Sequence, residues 1–435
     1  MNFYSTKNKD IRVSFKDAVF NSLPEDRGLY MPEEIRKVDP LFLRNIHQYS
    51  FPEIAFEVAN TLLDGEINKE DLKKIIDETL NFDAPVRLLE SNLAVLELFH
   101  GPSYAFKDFG ARFMSRVMSY LAKGNNQLLD VLVATSGDTG GAVALGFLGV
   151  PGTRVTILYP KGKVSEVQKQ QLTTNGKNIR AIELDGTFDD CQELVKKAFN
   201  DKELNQKMQL TSANSINIAR LIPQSFYYFY AYAQLRAQGA EEVVFSVPSG
   251  NFGNIAAGVL ARKMGLPIKH FVAANNSNDT VFQFLNGGEY TPKASVQTLS
   301  NAMDVGNPSN WERIVDLYNG DTDSLKKDMS SFRFNDEETL EGIKELFDKY
   351  GYIACPHTAV AYNAIKAYNN ANTDSNYASV FLSTAHPIKF PEAFTKEMYE
   401  KIEAPEGTLE LAQKEQKFLS MGNSYERFKA YLVES

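Results

Sequence analysis

Leu93-Ala94-Val95-Leu96-Glu97-Leu98 leads into Phe99-His100-Gly101-Pro102-Ser103-Tyr104-Ala105-Phe106-Lys107-Asp108-Phe109-Gly110, and from Phe109 to Ala122 the pattern turns helical. The first run is apolar and strand-like, the middle is a Gly/Pro turn, and the third is an amphipathic helix. Lys107 therefore sits at a strand-to-helix turn, wedged between two phenylalanines. That setting solvates an ammonium poorly and suits a lysine that carries a covalent cofactor. A buried ion pair with Asp108, or a side chain reaching out to water, are the blander alternatives.

The same alternation continues outward from this unit. Val131-Leu132-Val133-Ala134, Arg154 to Tyr159 and Ile179 to Leu184 read as strands. Helices are expected from Gly141 to Phe147, Val164 to Leu172 and Phe188 to Phe199, with Thr187 as N-cap of the last. Further strands are expected at Val243 to Val247 and Ala378 to Leu382. Strands alternating with helices of this length imply right-handed βαβ units and a mostly parallel, doubly wound α/β sheet. Upstream, Pro52 to Leu63 and Lys69 to Leu80 are helix-like. The expected organisation is a mostly helical unit at 1–85, a large α/β unit from 86–115 and 236–435, and a smaller α/β unit at 116–235. The acidic clusters Asp189-Asp190 and Asp336-Glu337-Glu338 read as solvated helix starts.

Bulk properties narrow the function. A chain of 435 residues with 43% hydrophobic and 23% charged residues fits a soluble protein of two or three domains. The net charge of −9 and the lack of a basic block argue against nucleic-acid binding. Cys191 and Cys355 are the only cysteines, which fits a reducing cytoplasm rather than a disulfide framework. No stretch approaches the ~18 apolar residues of a membrane span. None of the five histidines pairs at the spacing of a metal site, so no metal is expected. His100, close before Lys107, is a candidate for proton transfer or simply a packed residue.

Three further turns follow strands, at the strand ends where ligands bind in open α/β sheets. Ala134-Thr135-Ser136-Gly137-Asp138-Thr139-Gly140-Gly141 lacks both the P-loop ending and the dinucleotide spacing, yet offers N–H groups and hydroxyls to an anion. Val247-Pro248-Ser249-Gly250-Asn251-Phe252-Gly253-Asn254 can wrap a phosphate through its glycines and helix end, without a Lys or Arg in the loop. Phe381-Leu382-Ser383-Thr384-Ala385-His386-Pro387 places two hydroxyls at a strand end. Separately, Asn214, Asn217 and Arg220 recur three apart. On a helix they would share a face and grip an anionic group. The Tyr227-Tyr228-Phe229-Tyr230 run reads as core packing.

Taken in order, these motifs resemble the threonine synthase family of fold type II, tryptophan-synthase-β-like pyridoxal-phosphate enzymes. The likeness extends to Val13-Ser14-Phe15, Arg27 to Pro32, Leu96 to Pro102, Leu299 to Val305 and Thr384 to Phe390, and so covers nearly the whole chain. It implies two open, mostly parallel sheets flanked by helices, with a helical N-terminal extension. It implies pyridoxal 5′-phosphate on Lys107 as the Schiff-base lysine, with Ser249, Gly250, Asn251, Phe252, Gly253 and Asn254 around the cofactor phosphate. Thr384 would meet the pyridine nitrogen, and Asp138 would lie near the ring 3′ oxygen. Ser136 and Thr139 would face the substrate carboxylate, while Asn214, Ser215, Arg220 and Ser103 would hold the substrate phosphate. The implied reaction converts O-phospho-L-homoserine and water to L-threonine and phosphate in a cytoplasmic monomer or weak homo-oligomer. Asp138 is a difficulty, because an ionised carboxylate would repel a phenolate-like oxygen. A dehydratase or β-replacement enzyme of the same fold is the rival activity, but it needs no second anion pocket. A catalytically idle homologue is a third reading.

Overall fold

The computed structural model describes residues 1–124, 128–373 and 377–434. Among the described residues fourteen strands form three sheets. They are β1 (Asn2–Ser5), β2 (Arg12–Ser14), β3 (Tyr30–Pro32), β4 (Val86–Leu88), β5 (Leu93–Glu97), β6 (Leu129–Ala134) and β7 (Thr153–Pro160). Then come β8 (Ile179–Asp185), β9 (Gln209–Ser212), β10 (Val243–Pro248), β11 (Ile268–Asn275), β12 (Met329–Arg333), β13 (Ala378–Ser383) and β14 (Leu419–Gly422). The large sheet has the order β12-β11-β10-β13-β5-β4, and the smaller one β14-β8-β7-β6-β9. Both are parallel except for β4, which runs antiparallel on the edge beside β5. Their central strands are buried on both faces, as parallel strands covered by crossover helices must be.

The expected helices form within a few residues of their anticipated bounds. Lys107–Leu121, Asp138–Phe147, Glu166–Thr173 and Phe188–Asn200 each follow a strand. Thr187 caps the last of these, and its hydroxyl accepts from the Asp190 N–H in a capping box. The acidic run at Asp336 likewise opens a helix, Asp336–Tyr350, capped by Asn335.

Two parts of the chain depart from expectation. The N-terminal region is not simply helical. β1 pairs with β2 and β3 in a small antiparallel sheet packed on the helix Phe15–Asn21, in addition to the helices Phe51–Leu63 and Lys69–Thr79. These strands have three or four residues, too few for a period-two pattern to show. At the other end, the chain does not stay with the large sheet to residue 435. β14 pairs with β8, and Met421, Phe428 and Leu432 pack with Leu158, Ile182 and Leu194 of the smaller unit.

Because β5, β13 and β10 are parallel and in register, their carboxyl ends leave the large sheet along one edge. The segments carrying Lys107, Thr384 and Ser249 therefore emerge together. The Lys107 segment is also zipped to the Thr384 segment. Phe106 N–H donates to the Thr384 carbonyl at 2.9 Å, His386 N–H donates to the Tyr104 carbonyl at 3.0 Å, and Ala105 bridges Ala385. Tyr104 takes a left-handed φ of 57° to make this bend.

Candidate active site

Lys107 is the first residue of its helix. Its ammonium lies 5.8 Å from the Phe106 ring centroid and makes no hydrogen bond or ion pair with any described residue. As a residue it is half-buried, with protein atoms around the ammonium. Burial lowers its pKa to about 8, Asp138 opposes that shift, and the nearby Lys389 and Arg220 reinforce it. Of the two blander alternatives, the ion pair with Asp108 is absent. Asp108 instead accepts the Ser103 N–H at 2.9 Å, and burial pushes its own pKa up to about 6.

The turn Ser249–Asn254 joins β10 to the helix Gly253–Lys263. Among the described residues none accepts from the backbone N–H groups of Gly250 to Asn254. Gly250 is needed for close approach, since a Cβ there would lie 2.5 Å from Met303 Cα. Phe252 adopts a left-handed φ of 61° and packs edge-on against Trp311. Asn251 donates to Ser215 Oγ at 2.8 Å. Asn254 is held by Tyr227 and Tyr228, both of which donate to its Oδ1 at 2.8 Å. That fixes the amide orientation and leaves Asn254 Nδ2 buried without a partner. The tyrosine run is core, as expected, but two of its hydroxyls also orient this side chain.

The Asn214–Arg220 segment differs from its expected form. The helix here is only Ile218–Leu221, so no single helical face carries all three residues. Asn217 is its N-cap and faces the scaffold, donating to the Val19 carbonyl at 2.8 Å and to Ser22 Oγ at 3.0 Å. Asn214 keeps a buried Oδ1 without a partner. Ser215 Oγ accepts from Asn251 and Asn310. Arg220 is buried with one nitrogen bonded to the Ala213 carbonyl at 2.6 Å, while its Nε has no partner and no carboxylate pairs with it. It packs closely on Gly110, where a Cβ would come within 2.6 Å of that Nε. Burial lowers its pKa to about 10, so it stays cationic.

Ser136 and Thr139 are half-buried, in and just after the turn that follows β6 of the smaller sheet. Thr135 Oγ1 accepts the N–H groups of Gly137 and Gly140, at 3.0 and 2.8 Å, and sets the shape of that turn. Ser103 is fully buried with an unpartnered Oγ. The Thr384 hydroxyl has no protein partner among the described residues, while its neighbour Ser383 is tied to Thr358 at 3.0 Å. His100 pairs with Glu97 at 2.8 Å on a partly exposed surface.

The difficulty with Asp138 has a partner the sequence reading passed over. Lys389 Nζ sits 2.6 Å from Asp138 Oδ1, and Gln168 donates to the same oxygen at 2.9 Å. Burial alone would raise the Asp138 pKa, but Lys389, Lys107 and Gln168 overcome it, so the carboxyl lies well below its usual range and is ionised. Lys389 stands between Ile388 and Phe390, the same apolar flanking that marked Lys107. Arg313 was also missed. It is fully buried and donates to the carbonyls of Ser215, Ile216 and Tyr30, bracing the Asn214–Arg220 segment from behind.

These residues fit a pyridoxal-phosphate site. The uncharged N–H turn with its orphaned Asn254 amide suits the phosphate, the isolated Lys107 suits the aldehyde, and the free Thr384 hydroxyl suits the ring nitrogen. Residues 83–384 match the family of pyridoxal-phosphate dependent enzymes, so fold and site define a fold type II enzyme of that class. Residues 2–80 match the threonine synthase N terminus and 358–432 the threonine synthase C-terminal region. Threonine synthase from Haemophilus influenzae is 42% identical over the full length of both chains, and that from Buchnera aphidicola of Acyrthosiphon pisum 44% over 93% of each. The solved Escherichia coli threonine synthase superposes with a TM-score of 0.90 at 39% identity, covering all of both chains. A pyridoxal-phosphate-bound threonine synthase from Brucella melitensis superposes at 0.92 with 34% identity, over 100% of this chain and 99% of that one. The chain belongs to the threonine synthase family.

Proposed function

We propose that this chain converts O-phospho-L-homoserine and water to L-threonine and phosphate, with Lys107 as its cofactor-bearing and proton-moving residue. The observation that carries this reading is the juxtaposition of two unlike anion grips around one unpaired lysine. A dehydratase would need only the first grip. Bound pyridoxal phosphate supplies an electron sink for charge developing on the substrate carbons.

The remaining chemistry belongs to side chains. The Ser249–Asn254 turn holds the cofactor phosphate by N–H dipoles and the helix end. The Thr384 hydroxyl meets the pyridine nitrogen, and a neutral partner leaves that nitrogen largely unprotonated. Ser136 and Thr139 take the substrate carboxylate. Arg220, with Asn214, Ser215 and Ser103, takes the substrate phosphate, which departs from the γ-carbon as water adds at the β-carbon. The Lys107 amine, its pKa lowered to about 8 by burial first of all, is neutral in a useful fraction near neutrality and moves the proton at the α-carbon. The setting is a small-molecule enzyme of the cytoplasm, monomeric or weakly associated; both cysteines are buried and unpaired.

The test is purified chain with pyridoxal phosphate and O-phospho-L-homoserine. Equal yields of phosphate and threonine are expected. Absence of phosphate release, with deamination of serine or threonine instead, would overturn the proposal in favour of a dehydratase.

A further inference from the structure

Lys389 and Asp138 form the only ion pair among the described residues in which both partners are nearly inaccessible, at 0% and 5% exposure. Asp138 opens the helix after β6 of the smaller sheet, whereas Lys389 follows β13 of the large sheet. The pair therefore spans the crevice. Lys389 also donates to the Ser103 carbonyl at 2.9 Å, on the segment after β5, where Gln171 donates at 3.0 Å. Gln168 and Gln171 belong to one short helix, so a single closed network ties the Ser103 turn, the Asp138 turn and Lys389 together.

We propose that Lys389 is a positioning residue of this active site: it neutralises Asp138 across the crevice, and so fixes the Ser136–Gly140 turn and sets the charge felt at the Lys107 nitrogen. The proposal rests on Lys107 being the cofactor lysine. Lys107 is faced by Asp138, which favours its proton, and by Lys389 and Arg220, which disfavour it. His357 also lies close, and its pKa is lowered to about 4 by burial, so it is neutral. Cys355, near Asp138, is likewise buried and held as the thiol. With Lys389 present, Lys107 meets a compensated pair. With its charge removed, Lys107 meets a bare carboxylate in a site that screens poorly.

The holoenzyme reports this directly. Titration of the visible absorbance of the lysine-bound cofactor should show its midpoint raised by about one pH unit or more in Lys389→Met and lowered in Asp138→Asn. The double variant should return close to the wild-type midpoint, because the two charges act on Lys107 through each other. A purely structural role for Lys389 would lower stability without that reversal. An unmoved midpoint in Lys389→Met, or a double variant displaced as far as Lys389→Met, overturns the proposal. Should Lys389→Met fail to fold, Asp138→Asn decides by the same midpoint: a downward move supports the proposal and none overturns it. Acylation of Lys107 by acetic anhydride in the cofactor-free chain, read against pH by peptide mass spectrometry, should give the same order of midpoints. A wild-type chain that forms no borohydride-reducible adduct at Lys107 refutes the cofactor reading alone, and the acylation midpoints still decide Lys389.

Discussion

The Ser249–Asn254 turn and the Asn214–Arg220 segment both aim donors into the crevice, but by opposite means. The first has no cation and offers rigid N–H groups at a helix start, pinned by Met303, Trp311, Tyr227 and Tyr228. The second is built on a buried guanidinium with a free Nε, braced from behind by Arg313. Dipoles held in place bind an anion without a charge that must be repaid in desolvation, which suits a resident group. An unpaired guanidinium is costly when empty and gains most when an anion arrives, which suits a group that comes and leaves. The two are joined where Asn251 donates to Ser215, and Arg220 is near enough to Lys107 to disfavour its proton.

Each side of this contrast can be broken separately. Lys107→Ala has the largest expected effect: loss of the borohydride-reducible adduct together with a fall in phosphate release of about 10⁴-fold or more. The lysine itself should titrate anomalously. In the cofactor-free chain its labelling midpoint is expected near 8 rather than 10.5. Because the folded pKa is the lower one, the unfolded chain binds more protons between those values. The Lys107 contribution to stability therefore rises with pH across that window, which urea titrations can check. Arg220→Ala removes a charged hydrogen-bond donor of about 1.5–3 kcal/mol, so the KM for O-phosphohomoserine should rise about 10–150-fold. Cofactor occupancy should hardly change. Loss of cofactor instead would erase the contrast.

Gly250→Ala acts on the other side. The added methyl meets the Met303 backbone, and overpacking of about 1–3 kcal/mol should weaken cofactor affinity about tenfold in a spectroscopic titration. The KM of the saturated enzyme should stay near wild type. Tyr228→Phe is the mildest change. Tyr227 still holds Asn254 Oδ1, so about 1 kcal/mol or less should be lost from the denaturant midpoint, with a slight fall in cofactor affinity.

Much of the fold was legible because its signals are local. The strands before and after the Lys107 turn differ in period from its helix, and Thr187 announces a helix that its hydroxyl does cap. The β1–β3 sheet was not legible, because strands of three or four residues carry no periodicity. The site was legible where a turn must be permissive or a residue is badly placed, as at Gly250 and Lys107. It was misread where residue spacing stood in for conformation. Asn214, Asn217 and Arg220 recur at helical intervals, yet the helix begins only at Ile218 and Asn217 is spent capping it.

The sequence by itself determined the order of strands, turns and helices, the lysine, and the kinds of donors at each strand end. Backbone propensities and apolar periodicity act within a few residues, so they can be read there. Only the tertiary structure decided which donors remain free and which charges cancel. Asp138 is an ionised and neutralised carboxylate because Lys389 reaches it from the other sheet. Asn254 presents its amide because two tyrosines take its oxygen, and β14 returns to cover β8. Such contacts join residues far apart in the chain, and their energies depend on burial that exists only once both sheets have closed around the crevice.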